Sequence, residues 1–219
     1  MPFRAPAERA RLCDLLDERG PDAPTLCAGW RTGDLAAHLV VREHSVLAAA
    51  GIFVPVLAPL TVRAMARVRR RPFPAVVDRI RRGGLLPAEG RLGEALHLLE
   101  FVVHREDILR APPDLGAPDA APVDAGPVDP GAQDAVFEQL RRSARALGRN
   151  VPSGVGVLLR SSRHGSIDVR RGPAVLVVDG APVELALWLF GRVSASRVHI
   201  QRHGGPHDLL ARVESSLGR

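Results

Sequence analysis

The chain has no lysine and no tyrosine, so all 30 of its Lys+Arg residues are arginine. Little can titrate between neutral pH and the arginine range. An excess of 30 basic over 24 acidic residues therefore suffices to place the pI near 11.0. The net charge of +6 is modest, and it does not by itself define a nucleic-acid binder. Cysteine is scarce: Cys13 and Cys27 are too few for a disulfide framework and read as reduced thiols of a cytosolic protein. Long apolar runs are missing. A membrane span needs about 18 or more apolar residues, and the nearest approach, residues 45–65, is interrupted by Pro55, Pro59 and Arg63. The first eleven residues carry charge and no apolar core, so no secretory signal is expected. A cytoplasmic protein with no membrane partner follows as the expectation. Aromatics at 4 % supply no stacking platform for single-stranded nucleic acid.

What is present is ordinary globular composition, 46 % apolar and 25 % charged. A length of 219 residues allows one large domain or two small ones. Periodicity predicts helices over residues 5–19, 32–50, 59–71, 75–82 and 93–110. Leu12, Leu15 and Leu16 share a face of the first, and Gly20-Pro21 stops it. Thr32 is the expected N-cap of the second, with Asp34 in its first turn. Residues 111–131 are rich in Pro, Ala, Asp and Gly without a period, the pattern of a linker or long surface loop. Beyond it, residues 132–147 read as a helix, 155–160, 166–170 and 174–178 as short strands, 183–190 as a helix, 197–201 as a strand and 206–217 as a last helix. The expected organisation is a helical domain over 1–110, a linker over 111–131 and a small α+β domain over 132–219. The fold class is mostly α with an α+β C-terminal part.

The fifth helix carries the chemistry. At about 100° per residue, Asp107, Glu100, His104 and His97 fall within roughly 80° of one another. Leu96, Leu99 and Val103 flank this ionisable stripe on one side, Phe101 and Ile108 on the other. Polar groups hemmed by apolar neighbours suit a helix whose polar edge faces a shared interior site. Glu100 and His104 are i,i+4, so their side chains meet over one turn. A carboxylate and an imidazole at that spacing can chelate a divalent cation such as zinc, iron or nickel. The wheel makes His97 as eligible as His104. A further ligand has to come from another element, and His38 on the second helix is the candidate. Its own face, shared with Asp34, Arg42 and Ser45, reads as solvated. Cys27 joins such a site only if the turn before the second helix folds back, and it reads as packing beside Trp30 rather than as a ligand.

The run from Pro24 to Leu39, with its Cys27-x-Gly29-Trp30 turn, Asp34-Leu35, His38 and Leu39, resembles the N-terminal signature of the mycothiol-dependent maleylpyruvate isomerase family, part of the DinB-like (YfiT-like) superfamily. The segment Glu100-x3-His104-x2-Asp107 resembles that family's second signature. Gly51-Ile52 and the arginine-rich third helix are most similar to an actinobacterial metal-binding branch, and Val183-Glu184-Leu185 through Gly191-Arg192 resembles the family's small C-terminal domain. The resemblance implies a DinB-like four-helix bundle followed by a small α+β domain. It implies a divalent metal, zinc, held by His38, Glu100 and His104, with mycothiol as cosubstrate. Three protein ligands leave an open position where a thiol is held as its reactive thiolate against a small electrophilic substrate. Asp107 is then a partner orienting an imidazole. Arg192 is a candidate for binding an anion of substrate or thiol, although a helix C-terminal cap explains it as well.

Two other readings stand beside this thiol-dependent transferase or isomerase. One is a non-catalytic metal- or small-molecule-binding protein on the same scaffold. The other is a nucleic-acid face along residues 63–82, against which a solvated arginine face is the simpler account. His199, His203 and His207 are spaced by four, but Gly204-Gly205-Pro206 interrupts any helix that would align them.

Overall fold

The computed structural model describes residues 3–45, 55–85, 90–112 and 129–217. The chain divides into two compact units, Met1–Ala125 and Gly126–Arg219. Among the described residues the first is helical and the second combines helices with a four-stranded mixed sheet.

The first unit contains α1 (Ala5–Arg19), α2 (Thr32–His44), α3 (Ala58–Arg69), α4 (Phe73–Arg82) and α5 (Gly90–Leu109). Leu12, Leu15 and Leu16 of α1 meet Leu35 and Leu39 of α2, Val76, Val77 and Ile80 of α4, and Phe101 and Ile108 of α5 in one apolar core. Spacings of three, four and seven residues along the helices are what turn each apolar stripe to the same centre. Pro59 and Pro74 stand in the first turns of α3 and α4, where a missing N–H costs nothing. Glu94 of α5 caps α1 from a distance in sequence: its Oε2 accepts the Arg4 and Ala5 N–H groups, each at 2.8 Å, and its charge suits the positive end of that helix.

Several boundaries differ from expectation: α3 ends at Arg69, and α4 and α5 begin early, at Phe73 and Gly90. The N-cap of α2 is Arg31, not Thr32. Asp34 Oδ2 accepts the Arg31 N–H at 3.0 Å, while the Thr32 hydroxyl is turned back to the Gly20 carbonyl. The helix closes at His44, because Ser45 takes an extended backbone; the apolar period that carried the prediction to residue 50 contains no stop signal, and residues 46–54 lie outside the described residues. Most of the expected linker, 113–128, is likewise outside them, and its last two residues already belong to a helix.

The second unit begins with α6 (Pro130–Leu147), whose first turn is capped by Asp129 Oδ1 accepting the Gly131 N–H at 3.0 Å. Then come β1 (Val155–Ser161), β2 (Gly165–Arg170), β3 (Ala174–Asp179), α7 (Pro182–Leu189), β4 (His199–His203) and α8 (Leu209–Glu214). The sheet order is β2-β1-β3-β4. β1 pairs with β2 and β3 with β4 in antiparallel fashion, and β1 pairs with β3 in parallel. Alternation along β1 buries Val155, Val157 and Leu159, as a half-covered strand requires, and α6 packs against β2 and α7. β4 lies two residues later than predicted because its register against Val175–Asp179 fixes it. α8 is shorter than predicted, with single turns at both ends.

Candidate metal centre

α5 presents Glu100, His104 and Asp107 on successive turns, and α2 presents His38 and, one turn later, Arg42. Glu100 Oε1 is the hub. It lies 3.0 Å from His38 Nε2, 3.2 Å from His104 Nε2 and 3.4 Å from Arg42 Nε. The solvated reading of His38 is wrong: the residue is 8 % exposed, because its polar-looking face is turned to the α5 stripe rather than to water. The Trp30 ring lies 5.2 Å from the His38 ring, and the His104 ring 5.3 Å from it, edge on.

Behind His104 stands Asp107, fully buried. Its Oδ2 is 2.8 Å from His104 Nδ1 and 3.2 Å from Cys27 Sγ. Cys27 gets there because the turn does fold back. Pro24 bridges Arg31, Thr25 Oγ1 donates to the Trp30 carbonyl at 2.9 Å, and the Leu26 N–H donates to the Asp107 carbonyl at 2.9 Å. Cys27 is thus attached to α5 as well as neighbouring Trp30. No helical period reaches across such a turn, so spacing along α2 carries no signal for it. Arg42 does have a signal, being four residues after His38 on the same face. His97, equal to His104 on the wheel, is directed elsewhere. It stacks on Phe101 at 5.5 Å, and its Nδ1 lies 3.2 Å from Arg42 and 3.8 Å from Glu43 Oε1.

Electrostatics bind the cluster into one unit. Burial alone would raise the Glu100 pKa, but hydrogen bonds from His104 and His38 and the charges of His104 and Arg42 hold it well below the usual carboxylate range. Burial alone would lower that of His104, yet Asp107, Cys27 and Glu100 push it well above the usual imidazole value. The Glu100 carboxylate thus sits between the His38 and His104 rings and the Arg42 guanidinium.

The donor set fits a divalent ion. His38 Nε2, Glu100 Oε1 and His104 Nε2 can each offer one ligand atom within 4.8 Å of the others. Their 3.0 and 3.2 Å separations from the carboxylate oxygen are close to the roughly 3.3 Å edge of a tetrahedron with bonds of about 2.0–2.1 Å. A second set, Cys27 Sγ, His104 Nδ1 and Asp107 Oδ2, meets the same distance limit. The two sets share His104 through opposite ring nitrogens.

Arg192 belongs to the second unit, after α7, where its guanidinium donates to the Phe190 carbonyl at 2.7 Å, the interaction of a helix-end cap. The arginines of α3 and α4 are partly engaged in local ion pairs: Arg69 with Asp34, and Arg81 with Asp14 and Asp17. No helix among the described residues is long and apolar enough to cross a membrane. In comparisons with known proteins, no family model, no curated protein and no solved structure matches the chain.

Proposed function

We propose that the first unit is a DinB-like bundle that holds a divalent ion, zinc, on His38, Glu100 and His104, and that uses it with a low-molecular-weight thiol of the mycothiol type in a transferase or isomerase reaction. The observation that carries this reading is the convergence of two imidazole Nε2 atoms on one half-buried carboxylate oxygen. When bound, the ion supplies Lewis acidity that keeps a thiol deprotonated at neutral pH. The chain's own residues do the rest. Asp107, accepting from His104 Nδ1, leaves Nε2 free to ligate and fixes the ring. Arg42, 3.4 Å from Glu100, neutralises negative charge gathered beside the ligands and is placed to steady an anionic electrophile. Trp30 covers one side of His38 and limits water there. The test is metal content of the full chain by elemental mass spectrometry. About one zinc per chain, lost in His104→Ala, is expected. No stoichiometric metal after reconstitution sinks the reading.

The second reading, a non-catalytic metal-binding protein, is favoured by the Cys27–His104–Asp107 set. A thiolate, an imidazole and a carboxylate from the chain itself leave less reason for an incoming thiol. Cobalt(II) substitution separates the two. A near-ultraviolet sulfur-to-cobalt band in the protein alone, lost in Cys27→Ser, supports the second. A band that arises only when thiol is added supports the first.

A further inference from the structure

The second unit holds a separate cluster that the metal reading does not use. Ser161, the last residue of β1, places Oγ 3.0 Å from His164 Nδ1, and His164 Nε2 lies 2.8 Å from Asp134 Oδ1 on α6. Gly165, at φ 92°, lets the chain turn sharply into β2, and the His164 N–H bonds the Ser161 carbonyl at 3.2 Å, so serine and imidazole are held face to face. The Phe137 ring, 5.1 Å away, packs on the imidazole. Asp134 fixes the tautomer: with the Nε2 proton donated to the carboxylate, Nδ1 is the acceptor for the serine hydroxyl. Ring nitrogens are exchanged relative to the familiar serine-hydrolase order, but each group keeps its role.

These three side chains line a cavity of about 300 Å³ whose wall also includes Arg163 and Gln133. That volume is at the small end of ligand sites. Gly180, Ala181 and Pro182, leading into α7, form another side. The Gly180 and Val183 N–H groups are already bonded to the Arg160 carbonyl and to Gln133 Oε1, so Arg163 is the cationic residue of the lining that can balance developing negative charge.

We propose that Ser161 is a nucleophile activated by His164 and Asp134, and that the cavity accepts a short-chain carboxylic ester. Ser161 Oγ bonds to the ester carbonyl carbon while its proton passes to His164 Nδ1. The carbon–oxygen bond to the alcohol breaks, and the alcohol leaves with that proton. Water then adds to the acyl carbon, giving a proton through His164 back to Ser161, and the carboxylic acid departs. Ester and water become acid and alcohol. This cycle is independent of the metal centre and survives its failure.

The experiment treats the full, chelator-stripped chain with a small dialkyl fluorophosphonate and reads the adduct by intact mass and peptide mapping. One adduct per chain at Ser161 is expected, with labelling slowed at least about 100-fold in His164→Gln and abolished in Ser161→Ala. Turnover of p-nitrophenyl acetate should fall in parallel. Wild-type chain that is folded by circular dichroism yet takes no label at Ser161 overturns the proposal without recourse to any variant. Labelling of His164→Gln at the wild-type rate overturns it too, leaving the cluster as a clamp between hairpin and helix.

Discussion

In the helical unit the buried residues include Glu8, Arg9, Glu43, Glu94, His97, His104, Glu106 and Asp107; in the second unit the buried polar residues among those described are Gln139 and Ser161. The second unit keeps its charges outside. Arg160 pairs with Asp179, Arg171 with Asp168, and Arg141 and Arg142 with Glu138 on exposed surface. Its interior is Trp188, Leu159, Leu176 and Leu185. Apolar packing supplies stability without needing partners. Buried charge destabilises unless every group is matched, and well-packed apolar residues often do as well. The helical unit therefore carries a polar interior that stability alone does not require. That interior runs continuously from Arg9 and Glu43, through His97 and Arg42, to Glu100.

The largest effect expected from this contrast is at Arg9–Glu43, a 2.7 Å pair buried on both sides. Glu43→Ala leaves the Arg9 guanidinium buried against the Phe101 ring and should cost about 3–5 kcal/mol. Arg9→Met with Glu43→Leu should recover most of that loss in urea unfolding. If the double variant is no better than the single one, the pair is a stabilising element in its own right and the contrast between the units weakens. In the second unit Leu176→Ala should cost about 2–5 kcal/mol through the cavity it leaves, and no polar partner substitution can rescue it.

At the site itself the expected change is in affinity. Asp107→Asn keeps the shape but weakens the hold on His104 Nδ1. It should lower zinc affinity about 10–100-fold and also lower the metal-free unfolding midpoint at neutral pH, since Asp107 leads the partners that raise the His104 pKa. Competition with a chromophoric chelator measures the affinity. Unchanged affinity would remove Asp107 from the site and leave it as a tether for the Cys27 turn.

How far the sequence carries this depends on which forces act locally. The α5 stripe is legible because helix geometry alone puts Glu100, His104 and Asp107 on one edge. The β1, β2 and β3 spans are legible because turn residues, Arg163-His164-Gly165 and Arg171-Gly172-Pro173, punctuate them. His38 is misread by its own helix, since what covers it is Glu100, 62 residues away. Cys27 is misread because its neighbour Asp107 is 80 residues away, across a turn that no period describes. The choice between His97 and His104 is also tertiary. The two share a helix edge, but Arg42 and Glu43 receive one and His38 faces the other.

Acidity should separate the units further. In the metal-free chain His104 has a raised pKa, so its contribution to stability is complete below its unfolded value of about 6.5 and is lost as pH rises through the higher folded value. Glu100 has a lowered pKa, so its contribution is present above about 4.3 and is lost as pH falls through the depressed folded value. Hydrogen exchange of α5 amides after chelation should therefore show greatest protection between about pH 4.5 and 6.5 and a decline as pH rises further. Zinc reverses the upper limb, because binding displaces the His104 proton and tightens as pH rises. Protection in α5 that does not change over this range would mean that His104 is not held as an imidazolium.

The smallest effect belongs on the surface of the second unit. Arg171 and Asp168 form a 3.1 Å pair with side chains 89 % and 54 % exposed. Water screens both charges, and ordering two long side chains offsets the attraction. Arg171→Ala should leave the thermal midpoint where it is within error and show no dependence on salt that wild type lacks. A clear loss would mean that this arginine does more than meet Asp168, since an exposed pair alone cannot supply it. The neighbouring turn at Gly172, whose backbone lies against Gly154, Val155 and Gly156, would then be the place to look. With no loss, the second unit owes its stability to its apolar interior, and only the helical unit depends on charge.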